Sequence, residues 1–112
     1  MMSLTGAMKK IIVNETMHEI SITLYVRKGV KLKSGEFGTI NATVEPGQEK
    51  QVFYGDLQNG YLNAFCCTAI VDGKEVKYSE RVKECGCHLD NLLNHKDILR
   101  FKEVEFEVLS AE

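Results

Sequence analysis

The pattern of hydrophobic and polar positions along this chain is that of short β-strands separated by turns. Its clearest part is the pair of segments 61–71 and 74–84, which are rich in β-branched and aromatic residues and are joined by Asp72-Gly73. Asp-Gly tolerates the positive φ angles of a tight turn, so this stretch predicts a β-hairpin. We expect the hairpin to be the centre of the fold.

Alternation assigns the two faces of this hairpin, because successive side chains of a strand point to opposite sides. The predicted core row is Phe65, Cys67, Ala69, Val71, Val76, Tyr78 and Val82. The opposite row of the first strand is also mostly apolar and consists of Leu62, Ala64, Cys66, Thr68 and Ile70. An apolar row of this length does not stay in water on an isolated domain, so we expect another layer to cover it.

The expected cover is a second copy of the chain. The one predicted helix, near residues 89–95, is about 10 Å long, whereas the row from Leu62 to Ile70 extends about 26 Å. The helix is therefore too short to cover the row. A two-fold interface needs only one patch that is complementary to itself. We expect a homodimer that associates through the outer face of strand 61–71.

Five further segments complete the predicted set of seven strands: 10–13, 18–27, 39–44, 49–54 and 100–109. The alternation is sharpest in 18–27, where Ile20, Ile22, Leu24 and Val26 share one face. Leu89, Leu92 and Leu93 indicate the short helix near residues 89–95. The pattern predicts an all-β fold, an antiparallel two-sheet sandwich of immunoglobulin-like type.

Two turns add detail to this fold. Asn14-Glu15-Thr16 ends the first strand, and residues 45–48 place Pro46 and Gly47 where a type II turn requires them. With the long alternating strand between them, these turns resemble those of many small bacterial immunoglobulin-like modules. The resemblance implies a fold and assigns no catalytic residue.

The outer charges of two strands are complementary. Lys77, Arg81 and Lys83 lie on one face of the second hairpin strand, and Glu103, Glu105 and Glu107 lie on one face of the last strand. Opposite charges on neighbouring strands stabilise a register. We expect these two strands to be neighbours.

The length of 112 residues fits one domain, which buries about two-thirds of its unfolded surface without disulfides or a metal. We assign residues 9–112 to this domain and interpret residues 1–8 as a disordered leader or a remnant of cloning. With a net charge of −2, the chain offers no basic surface for nucleic acid or a membrane, and we expect neither partner.

The same composition indicates the cellular location. The apolar runs are too short for a spanning segment or a signal peptide, so we expect a cytoplasmic protein with reduced thiols. Arg27, Lys28, Lys31 and Lys33 cluster positive charge around a glycine-rich segment at 28–38. We interpret that segment as a solvated loop.

The candidate chemistry lies in residues 85–95. Cys85, Cys87, His88 and His95 supply four ligands that zinc accepts. The spacing contains neither a Cys-x2-Cys pair nor a His-x3-His pair, so ordinary thiols and surface histidines are the favoured interpretation. A zinc site and a disulfide between Cys85 and Cys87 are the alternatives.

The other cysteines do not extend this set. Cys66 and Cys67 are adjacent in a strand and point to opposite faces, and Cys85 lies roughly 20 Å from Cys66 along the hairpin. The chain also lacks a glycine-rich phosphate loop and a nucleophile elbow. We predict a non-enzymatic interaction or ligand-binding module. The alternative is a metal- or thiol-dependent protein that uses the 85–95 segment.

Overall fold

The computed structural model describes residues 8–29, 35–56, 58–84, 86–104 and 107–109. Its elements are β1 (Met8–Asn14), β2 (Ile20–Arg27), β3 (Glu36–Val44), β4 (Glu49–Tyr54), β5 (Tyr61–Val71), β6 (Lys74–Arg81), α1 (His88–His95), β7 (Ile98–Val104) and β8 (Glu107–Leu109). A mostly β structure with two sheets and one helix is therefore confirmed. In the part of the chain described, no helix has the length and apolar character needed to cross a bilayer.

The strands form two sheets. One has the order β3-β2-β5-β6, with every neighbouring pair antiparallel. The other has the order β4-β1-β7, and the short strand β8 pairs with the end of β7. Strand β1 is antiparallel to β4 but parallel to β7. The predicted all-antiparallel arrangement is wrong at this pair, because side-chain alternation has the same period in parallel and antiparallel strands.

The C-terminal segment contains two strands where the sequence predicted one. Val104 pairs with Glu107 across residues 105 and 106, which lie outside the described residues, so the structure describes eight strands in place of seven. An interruption of two residues preserves the alternation of facing, so the pattern of 100–109 is the same for one strand or two. Both β7 and β8 lie in a different sheet from β6, so the predicted neighbouring placement of the charged rows is wrong.

The central hairpin has the predicted geometry. Asp72 and Gly73 have φ angles of 51° and 77°, as a type I′ turn requires, and Val71 pairs with Lys74 across them. Cys67 is opposite Tyr78 and is fully buried, which confirms its core facing.

Side chains of both sheets form one buried cluster. The first sheet contributes Ile22, Leu24, Phe65 and Cys67 among others, and the second contributes Ile12, Val52, Leu99 and Phe101. The rings of Phe65 and Phe101 meet edge-on across the cluster, with their centres 5.6 Å apart. This contact joins the two sheets within the core.

A β-bulge at Asn63 changes the predicted facing at the start of β5. Tyr25 pairs with Ala64, and the next residue, Val26, pairs with Leu62, so Asn63 is the extra residue. Leu62 consequently turns inward and is fully buried in the core cluster. The predicted outer row is wrong at this residue, because strict alternation from residue 61 cannot register an inserted position. The outer row of β5 starts at Ala64.

Asn14 forms hydrogen bonds that connect two turns. Its side-chain amide donates to the carbonyls of His18, at 2.7 Å, and Val44, at 2.9 Å. Its backbone carbonyl accepts from Gly47 N at 2.9 Å, and Gly47 has the positive φ of 73° that a type II turn needs. The Asn14-Glu15-Thr16 turn thereby holds the β3–β4 turn beside the start of β2.

Candidate functional site

The described members of the predicted cysteine and histidine set, Cys87, His88 and His95, lie along α1. Cys87 is the N-cap residue and is half-buried, and its carbonyl accepts from Asn91 N at 3.0 Å. His88 and His95 are the first and last residues of the helix, and both are exposed. At a rise of about 1.5 Å per residue their backbones are about 10 Å apart along the axis. Zinc-binding pairs on one helix are typically four residues apart.

Cys85 lies outside the described residues. In the part of the chain that the structure does describe, no group of three or more His, Cys, Asp or Glu side chains could hold a metal ion. The site of Cys85, Cys87, His88 and His95, with zinc as its cofactor, therefore stays a prediction.

We expect protein purified without a chelator to contain clearly less than one zinc ion per chain. The reason is that the two histidines lie at opposite ends of α1. Elemental analysis of the purified protein measures this directly, and His88→Ala should leave the zinc content unchanged. A content of one zinc per chain that falls in His88→Ala would contradict the expectation.

The chemically distinctive feature near α1 is a buried ion pair that the sequence did not indicate. Nη2 of Arg27 lies 3.1 Å from Oδ1 of Asp90, and the side chain of Arg27 is only 1% exposed. The prediction of a solvated basic segment is wrong for Arg27. Lys28 is exposed as expected, and Lys31 and Lys33 lie outside the described residues.

The strand pairing at the end of β2, where Arg27 lies, is irregular on both sides. The bulge at Asn63 interrupts the β2–β5 ladder, and the β2–β3 register shifts between Val26 and Arg27. Val26 and Arg27 are both buried, although alternation predicts that one of them faces water. The inserted residues lie in the partner strands, Asn63 in β5 and Phe37 in β3, so the facing of Arg27 is unchanged and Asp90 of α1 lies over it. The guanidinium also lies 5.7 Å from the centre of the Tyr61 ring.

A hydrogen-bonding network surrounds the ion pair. Nε of Arg27 donates to Oδ1 of Asn63 at 3.3 Å, and Nη2 donates to the Leu62 carbonyl at 3.4 Å. Oδ1 of Asp90 accepts from Nδ2 of Asn94 at 2.8 Å, and Oδ2 accepts from Gly86 N at 2.8 Å. No buried side-chain nitrogen or oxygen lacks a partner within the described ranges.

Asn94 attaches the helix to the sheet. Its side-chain oxygen accepts from Leu62 N at 2.6 Å, and its amide nitrogen donates to the Leu62 carbonyl at 3.0 Å. A single side chain thus satisfies both backbone groups of a residue next to the bulge, where the regular ladder is interrupted. Together with the Arg27–Asp90 pair, this contact fixes the position of α1 against β5.

The environment of Asp90 favours its charged form. Burial by itself raises the pKa of this carboxyl, whereas the hydrogen bonds from Gly86, Arg27 and Asn94 and the positive charge of Arg27 lower it. The net effect is a pKa below the ordinary value. Because Arg27, Asn94 and Gly86 already donate to the two oxygens of the carboxylate, we interpret the network as structural.

Three other side chains have shifted pKa values. Burial raises the pKa of Tyr54 to about 12, and the nearby Asp97 adds to the shift. Burial also raises the pKa of the Cys67 thiol to about 12, and Cys66 adds to the shift. Burial lowers the pKa of Lys10, against the opposing effect of Asp97, while its ammonium donates to the Lys96 carbonyl.

These shifts do not create a nucleophile. Because a thiol reacts as the thiolate, the buried and protonated Cys67 is inert near neutral pH. Cys66 is a free thiol on the opposite face and is half-buried, as its predicted facing requires.

The remaining candidate is the outer face of the β2-β5-β6 sheet. It consists of Ser21, Thr23, Tyr25, Ala64, Cys66, Thr68, Ile70, Glu75, Lys77, Ser79 and Arg81, which are paired across the three strands. At one end Arg81 stacks on Tyr25, with 5.8 Å between guanidinium and ring centre, beside a shallow groove of about 290 Å³ above Ala64. At the other end Ile70 is 61% exposed.

Comparisons of this chain with protein families, curated proteins and solved structures found no match.

Proposed function

We propose that this protein is a non-enzymatic β-sandwich module of immunoglobulin-like type that self-associates through the outer face defined above. The observation that carries the proposal is Ile70, which is 61% exposed on β5. Strand β5 is an interior strand, because β2 and β6 pair with its two edges. Another strand therefore cannot cover Ile70 by extending the sheet, and only a layer packed on the face removes it from water.

The middle of the outer face is suited to such a layer. Thr23, Cys66 and Ser79 form one cross-strand row, and Ser21 and Thr68 belong to the next. These side chains are short and uncharged, so a second sheet can approach closely over β2 and β5. Lys77 ends the second row on β6, where its long side chain can extend to the edge of the face and keep its ammonium in water. Among the described residues, the Tyr25–Arg81 stack beside Ala64 covers one end of this face.

The sandwich arrangement is supported by the core. Both sheets contribute to one buried cluster, and Phe65 of one sheet contacts Phe101 of the other. Two sheets that share a core through their inner faces each leave one outer face, as in a sandwich. The face of β2-β5-β6 is then available to a partner.

We expect the wild-type protein to have twice the mass of the chain at high micromolar concentration and to dissociate on dilution. Ile70→Lys should shift the equilibrium toward the monomer, because it places a charge where the apolar contact forms. Light scattering over a concentration series measures both masses.

Phe53→Lys is the matched control, since Phe53 is 50% exposed on β4 of the other sheet. It should leave the association unchanged. Circular dichroism of each variant verifies that the fold is retained. A wild-type protein that stays monomeric at high micromolar concentration would rule out the proposal.

A further inference from the structure

The two ends of the outer face differ in charge and in shape. At one end Arg81 borders the groove above Ala64. At the other end the protruding Ile70 lies between Glu19 and Glu75. These ends are six residues apart on β5, which corresponds to about 20 Å.

The two ends of the outer face are equally far from the level of the Cys67–Tyr78 pair. Cys67 pairs with Tyr78, and Ala64 and Ile70 lie three residues on either side of Cys67. Arg81 and Glu75 likewise lie three residues on either side of Tyr78. A two-fold axis that crosses the strands at this level, in the plane between two facing sheets, therefore exchanges the two ends.

We propose that the homodimer is built about this axis, with the strands of the two copies antiparallel across the interface. Ile70 of each copy then enters the groove above Ala64 of the other copy, and Arg81 of each copy lies opposite Glu75 of the other. This inference rests on the self-association proposed above and specifies its geometry.

The alternative two-fold axis runs along β5 and is disfavoured by charge. It places like ends together, so that Glu75 of one copy faces Glu19 of the other. The acidic end is already crowded, because the Glu45 carboxyl lies beside Glu19 and their side-chain hydrogen bond raises the pKa of Glu45. The same axis sets Ile70 against Ile70 and leaves both grooves empty, whereas the crossing axis fills them.

The area of the outer face sets the expected affinity of the dimer. With β3 included, the four strands of this sheet, about 4.8 Å apart and about 23 Å long, present roughly 450 Å² in each copy, or about 900 Å² in the dimer. Standard specific interfaces bury at least about 1,200 Å² in total. We therefore expect a reversible dimer that dissociates in the micromolar range, where exchanging charges has a measurable effect.

Charge reversal tests the geometry. Glu75→Arg and Arg81→Glu should each raise the dissociation constant about tenfold at low salt, because each places two like-charged pairs across the interface. The double variant Glu75→Arg/Arg81→Glu should return to within about threefold of the wild-type constant. Residues 75 and 81 are about 20 Å apart within one chain, so such a rescue requires contact between two chains.

Two controls complete the test, which uses sedimentation velocity over a dilution series. Glu49→Arg, an exposed position on β4, changes the net charge as Glu75→Arg does and should leave the constant unchanged. Arg81 also pairs with Glu36 at 3.3 Å within its own chain, so thermal unfolding must verify that each variant remains folded.

The outcomes separate this geometry from the proposed function. A wild-type dimer that Ile70→Lys dissociates, with a double variant no tighter than the single ones, would overturn the crossing axis alone. A monomeric wild-type protein would overturn the self-association as well.

Discussion

Arg27→Met is expected to lower the free energy of unfolding by about 3 to 5 kcal/mol, because it leaves a buried carboxylate without its cation. Asp90 lies 3.1 Å from the guanidinium, and the side chain of Asp90 is 11% exposed. The substitution also removes the donors to Asn63 and to the Leu62 carbonyl. Urea unfolding, followed by circular dichroism at neutral pH, measures the loss.

Arg100→Met is the matched control for this substitution. Arg100 forms an ion pair with Glu15 at 3.7 Å, but the two side chains are 44% and 32% exposed. Exposed pairs contribute at most about 1 kcal/mol, so this control should lose little stability. Equal losses in the two arginine variants would show that the buried network does not stabilise the fold as we infer.

The effect of Arg27→Met should also depend on pH, because the pKa of Asp90 is lowered in the folded protein. A carboxyl of this kind contributes stability above its unfolded pKa of about 3.9 and loses that contribution as the pH falls through the folded value. The difference in the free energy of unfolding between wild type and variant should have its full value near pH 7 and should shrink below about pH 4. Unfolding curves between these pH values test this, and a constant difference would contradict the role of the carboxylate.

Cys67→Asp is expected to unfold the domain. Cys67 is fully buried in the cluster shared by both sheets, and it lies opposite Tyr78 on one side and Ile22 on the other. An unpaired buried charge costs several kcal/mol, which is comparable with the roughly 5 to 15 kcal/mol of total stability that a small domain has. Circular dichroism and amide chemical-shift dispersion should both show an unfolded chain at 25 °C.

Cys66→Asp is the control, since it introduces the same group one residue away. Cys66 is half-buried on the outer face and borders the groove that Lys77 and Arg81 line. We expect this variant to remain folded and to lose at most about 1 kcal/mol. If Cys66→Asp were the more damaging of the two, the facing of β5 would be wrong.

Of the candidate site, the sequence indicated the position of α1 and hence of Cys87, His88 and His95. It did not indicate the Arg27–Asp90 pair, whose members are separated by 63 positions along the chain. Arg27 lies where alternation predicts a solvent-exposed residue. Asp90 lies in the first turn of a helix, where acidic side chains are common because they interact favourably with the helix dipole. Nothing local distinguishes either residue from an ordinary surface charge.

Local chemistry by itself determined the elements of this protein. Asp72-Gly73 fixed the central hairpin, Pro46-Gly47 fixed the turn before β4, and alternation placed Ile20, Ile22, Leu24 and Val26 in the core. These features depend on backbone dihedral preferences and on a two-residue period, both of which are properties of short segments.

Only the tertiary structure decided how those elements meet. The parallel pairing of β1 with β7, the bulge at Asn63 and the burial of Arg27 each depend on segments that are distant in sequence. Alternation predicts which residues of a strand face the core. It does not predict which strand is its neighbour in the sheet or where a β-bulge inserts a residue. A cation can be buried at the end of β2 only because α1 supplies a carboxylate there. This contact between α1 and β2 forms only in the folded chain.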